Sequence, residues 1–365
     1  SGSRLRILPK YMNEDNQNKH SQGETEPQEG TKNFFEEGST GHLPELNNSK
    51  LLFLGFLAFL FSSLEPFALF ASIPFTLCFL LYGKPKTIAI GVIGTALAFA
   101  LVQVKAYQGS ALGTFPMSLI YGYLISNIVR KEVHPIKGIV INGLGMFAVI
   151  ITAIAAFHYS VEGGLPKVLE SYVVKASTTY YEQWKSRADI PKMQLDQFQD
   201  VMKNPKIIVD PIMKYGFGVI FIGVFISFWV GTFVALKMGP LWRTIHAYPF
   251  QLNALTSFKV PFQMVWPLIA ALIITVGHLY GYMDSWAEVV GFNALLIMGV
   301  FYFFQGFGIL SDLLNYWRIF GFFRSMVIFF TVVMGYQILA ILGVLDTWVD
   351  FRRFLNNKNN EGDTL

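Results

Sequence analysis

From Leu51 to Val349 the chain is a near-continuous series of apolar runs of roughly 15 to 25 residues, separated by short hinges rich in Lys and Arg. About 20 apolar residues, at a rise of ~1.5 Å each, match the ~30 Å hydrocarbon core of a bilayer, and a soluble fold has no reason to repeat that length. The pattern therefore predicts an all-α polytopic transmembrane helix bundle. The runs are 51–64, 67–82, 87–104, 111–129, 136–158, 208–236, 265–282, 288–311 and 325–348. Glu65-Pro66 interrupts the first two, because proline lacks a backbone donor and clashes with the preceding turn. They form either the two short limbs of a hairpin or one kinked helix, so the expected count is nine or eight spans.

Outside the runs, residues 1–49 are polar and read as a disordered tail, 50–354 as one transmembrane helical domain, and 355–365 as a polar C-terminal tail. No cleavable leader is apparent ahead of Leu51, so the first membrane segment is expected to direct insertion. The long connection 159–207 has its own pattern. Leu165, Leu169, Tyr172, Val173, Ala176 and Tyr180 recur at helical spacing with charges on other faces, which predicts an amphipathic helix over 165–187. Tyr180, Tyr181 and Trp184 suit the headgroup boundary, so the helix either lies in the interface or closes over an outward-facing cavity.

Charge sets the expected orientation. Lys84, Lys86, Arg130, Lys131, Lys137, Lys237, Arg243, Lys259, Arg318 and Arg324 fall on one side if each run crosses once. The opposite short loops carry Lys105 and the acids Asp284 and Glu288, so the basic set is placed in the cytoplasm and 159–207 outside. The same counting sends the C-terminal DFRR outside, against the usual bias.

Composition agrees, with 53% hydrophobic and 14% charged residues where a soluble domain carries about 25% charged. The net charge of +4 sits mostly at the ends of apolar runs, which excludes nucleic acid as the expected partner and leaves the lipid bilayer. The single cysteine, Cys78, rules out an internal disulfide. No metal-ligand spacing, phosphate loop or nucleophile elbow is present, so no enzyme activity, metal or cofactor is expected.

Polar residues inside the runs are the candidate site, since each must be compensated in hydrocarbon. Glu65, at the proline break, is either a substrate- or ion-binding carboxylate or the wet cap of a hairpin turn. Asn142, Asn293 and Gln305 either line a polar cavity with it or tie helices together. Gln305 stands seven residues before Asp312, on nearly the same helical face. Ala96 with Ala100, and Gly277 with Gly281, are small pairs at four-residue spacing that suit close helix packing or a membrane partner protein, and Gly91 and Gly94 flatten the first of those helices.

FKVPFQMVWPLIAAL (258–272), FNALLIMGVFYFFQGFGIL (292–310) and LGVLDTWVDFRRF (342–354) resemble, in that order, the C-terminal signature of the YybS-like family of bacterial membrane proteins. That family is in turn distantly similar to the S components of energy-coupling factor transporters, which bind small ligands in a helical bundle and dock small-residue faces on a coupling subunit. The resemblance implies the bacterial inner membrane and a small-molecule binding or uptake component, with a non-transporting scaffold for envelope or division proteins as the alternative. Ala96 and Ala100 have the form of the S-component docking motif, but they stand outside the first run, where that motif belongs. Within the last segment, Asp346, Trp348, Asp350, Arg352 and Arg353 carry the motif, and Asp346, Asp350 and Arg353 are expected to share a helical face on which the carboxylates pair with the guanidinium.

Overall fold

The computed structural model describes residues 47–104, 111–185, 187 and 191–353. The expected tails lie almost wholly outside these. Among the described residues all regular structure is helical. The elements are α1 (Asn48–Ser63), a 3-10 stretch (Glu65–Ala71), α2 (Ser72–Tyr82), α3 (Lys84–Gln103), α4 (Ala111–Arg130), α5 (Pro135–Ser160), α6 (Gly164–Trp184), α7 (Lys192–Lys203), α8 (Lys206–Lys237), the short α9 (Gly239–Trp242) and α10 (Asn253–Thr256), α11 (Val265–Leu279), α12 (Ser285–Tyr316), α13 (Gly321–Met334) and α14 (Tyr336–Val349).

Among the described residues six helices are long and apolar enough to cross a membrane: α3, α4, α5, α8, the segment Phe262–Leu279 that contains α11, and α12; α13 and α14 add a seventh only if the bent pair is one span. The eight or nine expected spans are therefore too many, and the excess comes from both ends of the domain. At the first end the proline break makes a hairpin of short limbs, α1 of 16 residues and α2 of 11. Its open end is closed where the Tyr82 hydroxyl donates to the Asn47 carbonyl (3.2 Å), and near its tip the Ser62 carbonyl accepts from Thr114 Oγ1 (3.0 Å). The hairpin thus begins and ends beside Lys84, which leaves the orientation of the following spans unchanged.

At the other end α13 and α14 are bent by 91°. Arg324 of α13 bonds Ser311 (2.8 Å) and Asn315, while Arg352, just past α14, reaches Asp312 and the Gln305 carbonyl. Both ends of the pair therefore meet the last turns of α12, and the chain doubles back rather than crossing. DFRR consequently lies at the end of the bundle that carries Lys237, Arg243 and Lys259, which corrects the expectation that it faces the opposite side. That expectation failed because 14-residue helices at ~1.5 Å per residue reach only ~21 Å each, and the bend at Gly335 separates them.

The core runs along α8 and α12. Phe221, Phe225 and Trp229 of α8 interleave with Phe301, Phe304 and Phe307 of α12, with ring centroids 4.4–5.8 Å apart, while Phe228 packs on Tyr121 of α4. At the basic end a short loop is pinned under the bundle. His246 Nε2 lies 2.8 Å from the Leu80 carbonyl, Arg243 donates to the Tyr248 and Phe250 carbonyls, and the buried Tyr248 hydroxyl donates to Val133 (2.8 Å). Burial pushes the Tyr248 hydroxyl's pKa well above its ordinary value, so it stays a donor. At the distal end α6 forms as expected and packs on α5 and α8. Its partner α7 was not foreseen. Phe198 of α7 packs on Tyr180 and Trp184, and Gln199 donates to the Tyr181 hydroxyl (2.8 Å), so those aromatic residues hold a helical hairpin together.

Candidate functional site

Gln305 and Asp346, both without measurable exposure, bond to each other within the bundle. Gln305 Oε1 accepts from the Val260 amide (2.8 Å), and its Nε2 donates to Asp346 Oδ2 (2.8 Å). The other carboxylate oxygen accepts from the Phe351 amide (2.8 Å). That last bond exists because α14 stops at Val349 and Asp350 takes a left-handed conformation, φ 50°, turning the chain back over its own helix end. The turn also changes the expected pairing. Asp350 pairs with Lys259 (3.1 Å), Arg352 lies 3.6 Å from Asp312, and Arg353 is exposed. Asp346 and Arg353 are not paired, since the helix carrying their common face has ended. Trp348 is exposed on α14.

Glycine lets these elements close. A methyl group on Gly306 would collide with the Leu339 carbonyl, and one on Gly343 with the Tyr302 carbonyl. The small-residue contact that matters here is thus Gly306–Gly343, and the four-residue pairs singled out above do other things. Ala96 and Ala100 are exposed on α3, while Gly91 and Gly94 face Leu119 and Phe115 of α4. Gly277 and Gly281 do not form a packing face at all. Gly281, φ +75°, ends α11 in a Schellman turn, with Tyr282 N–H on the Gly277 carbonyl (2.8 Å) and Gly281 N–H on that of His278 (2.9 Å).

The remaining amides do not gather with Gln305. Asn293 stands twelve residues earlier on α12, about 18 Å along the axis. Its oxygen accepts from the Gly218 amide (2.7 Å) and its nitrogen donates to the Lys214 and Val289 carbonyls (2.7 and 2.6 Å), so it ties α8 to α12. Asn142 is half-buried on α5. Glu65 opens the 3-10 stretch at the hairpin tip, and its side chain lies outside the described residues.

Sequence reasoning missed a polar cluster at the distal end. Glu288, in the first turn of α12, accepts from Lys214 Nζ (2.9 Å) and the Tyr215 hydroxyl (2.6 Å), with His278 Nε2 at 3.7 Å. It joins α8, α11 and α12. The signal was Lys214-Tyr215 inside an apolar run, which had been read only for its length.

A second missed feature is a cavity of about 270 Å³, open on one side, between the first hairpin, α4, α5 and α8. Five residues that carry hydroxyls, Ser72, Thr114, Ser118, Tyr121 and Ser227, line it among Leu69, Met117, Ile150, Ile220 and Val224, and its surface is mainly apolar. Three of them, Ser72, Ser118 and Ser227, are buried. Gly223 completes the wall, and a methyl group there would meet no atom within 4 Å.

A family model described as "Predicted membrane protein (DUF2232)" matches residues 51–347. The chain belongs to that family. The match takes in nearly all of the α1–α2 and α13–α14 hairpins, the cavity and Asp346, and it ends before Asp350 and Arg352. No curated protein and no solved structure matches the chain. Membership in DUF2232 and the six long apolar helices together make this an integral membrane protein with several lipid-facing helices.

Proposed function

We propose that the protein is the binding component of a small-molecule uptake system, comparable to the S components of energy-coupling factor transporters, and that the hydroxyl-lined cavity holds its ligand. The cavity carries this reading. It is a pocket between helices, open on one side, that sets hydroxyl-bearing residues among apolar ones, and it is walled by the hairpin that Glu65 begins to close. The outward face of α3 supports it. Ala96 and Ala100 are exposed there among Val92, Ile93, Leu97 and Phe99, on the first helix long enough to cross, as a face for a coupling subunit requires. With the basic end in the cytoplasm of a bacterial inner membrane, the cavity extends from mid-bundle toward the outer side.

The scaffold reading draws on the same α3 face but has no use for the cavity. The experiment that separates them is native mass spectrometry of protein purified in mild detergent, comparing wild type with Gly223→Leu. The binding component retains a discrete small molecule in the wild type and loses it in the variant, whose new side chain fills the cavity. Identical spectra from two folded proteins would leave the scaffold.

A further inference from the structure

The chemistry of the cavity wall narrows what it can hold. We infer that the ligand is a compact, uncharged and largely apolar molecule that brings its own N–H or O–H donors; this rests on the binding reading above.

The wall is uncharged. Among the described lining residues there is no Lys, Arg, His, Asp or Glu. A carboxylate, phosphate or ammonium placed there would be an unpaired ion in a low-dielectric site, which costs several kcal/mol even after relaxation. The bundle does hold charges elsewhere, and it pairs them: Glu288 has Lys214, Asp350 has Lys259 and Asp312 faces Arg352. The cavity wall departs from that habit.

Its hydroxyls also have a direction of hydrogen bonding. A hydroxyl has one hydrogen and two lone pairs. Ser118 Oγ donates to the Phe115 carbonyl (2.7 Å), Ser227 Oγ to Gly223 (2.7 Å), Thr114 Oγ1 to Ser62 (3.0 Å) and Ser72 Oγ to Leu69 (3.4 Å). The hydrogens of four of the five hydroxyls are therefore already used, so toward a ligand these oxygens can only accept. Tyr121 has no hydrogen-bond partner among the described residues, and it can supply one donor. A ligand rich in acceptors alone would set lone pair against lone pair, whereas one bearing donors satisfies the wall without disturbing any helix.

The test counts the ligand's donors. Wild type and Gly223→Leu are brought into D2O buffer, and the molecule released from the wild type, but absent from the variant, is weighed in H2O and in D2O. The expected species gains at least two mass units, one per exchangeable N–H or O–H, and carries no permanent charge. Its retention should fall at least about fivefold in Ser118→Ala/Ser227→Ala, which removes two acceptors and leaves the volume open. A released molecule with a phosphate, carboxylate or quaternary ammonium group, or with no exchangeable hydrogen, overturns the ligand class while leaving the cavity as a binding site. If both folded proteins release the same molecules, the binding reading itself fails.

Discussion

The two sides of the bundle treat buried polar groups in opposite ways. Where α12 meets α14, glycine backbones touch, and Gln305, Asp346 and the Val260 and Phe351 amides bond to one another and close the contact. Where α2, α4, α5 and α8 meet, hydroxyls bond back to nearby helix or hairpin-tip carbonyls, and the residues that carry them line a space open on one side. In hydrocarbon an amide or carboxylate left alone is expensive, so it has to be locked to a partner. A serine is cheap, because its own helix satisfies its hydrogen, and it can line a void at little cost. Charge and amides thus build the frame, and hydroxyls build the room.

The largest effects are expected on the closed side. Gly306→Leu and Gly343→Leu force α12 and α14 apart and should abolish recovery of folded, monodisperse protein, because no side-chain rearrangement can relieve a collision with backbone carbonyls. Asp346→Ala should lower stability by about 2–4 kcal/mol, measured as a drop in thermal midpoint in detergent, since it leaves the Gln305 amide and the Phe351 N–H unpaired in a buried site. Asp346→Asn should fall between Ala and wild type, as one oxygen still accepts while its NH2 opposes a donor. A smaller loss, about 0.6–1.7 kcal/mol, is expected for Asn293→Leu, in line with interhelical hydrogen bonds in other membrane bundles. The smallest effect belongs to the open side. Gly223→Ala should be neutral or raise stability by up to ~1 kcal/mol, as it adds helix propensity without a clash. A large loss there would show that the space is not open.

Much of the frame was legible in the sequence, and the reasons differ by element. The long runs around Phe225 and Phe304 announced themselves by length, because the bilayer fixes what a spanning helix must be. Short elements carry no such signature. The runs 51–64, 67–82 and 325–348 were read as spans because apolar composition looks the same in a helix that crosses and in one that turns back. The proline after Glu65 did announce the first hairpin. Gly335 gave a weaker warning of the second, since a glycine inside an apolar run is common in membrane helices. Asn293 and Gln305 were found as buried amides, yet their partners were not foreseeable: Gly218 and Val260 contribute backbone amides, which no residue type advertises. The cavity hydroxyls were passed over for the converse reason. Serine and threonine are frequent in apolar helices, and only three-dimensional packing brings Ser72, Ser118 and Ser227 to one space.

One paired measurement bears on this contrast most directly: the same substitution at two glycines of neighbouring long helices, Gly306→Leu and Gly223→Leu, each followed by thermal melting and native mass spectrometry in one detergent. Gly306→Leu should yield no cooperative melt. Gly223→Leu should melt at or above the wild-type midpoint measured without ligand and should lack the small molecule that the wild type retains. A Gly223→Leu protein that fails to fold, or that folds and keeps the molecule, would contradict the account, because it would mean that the space beside Gly223 is either already closed or not the place where a ligand sits.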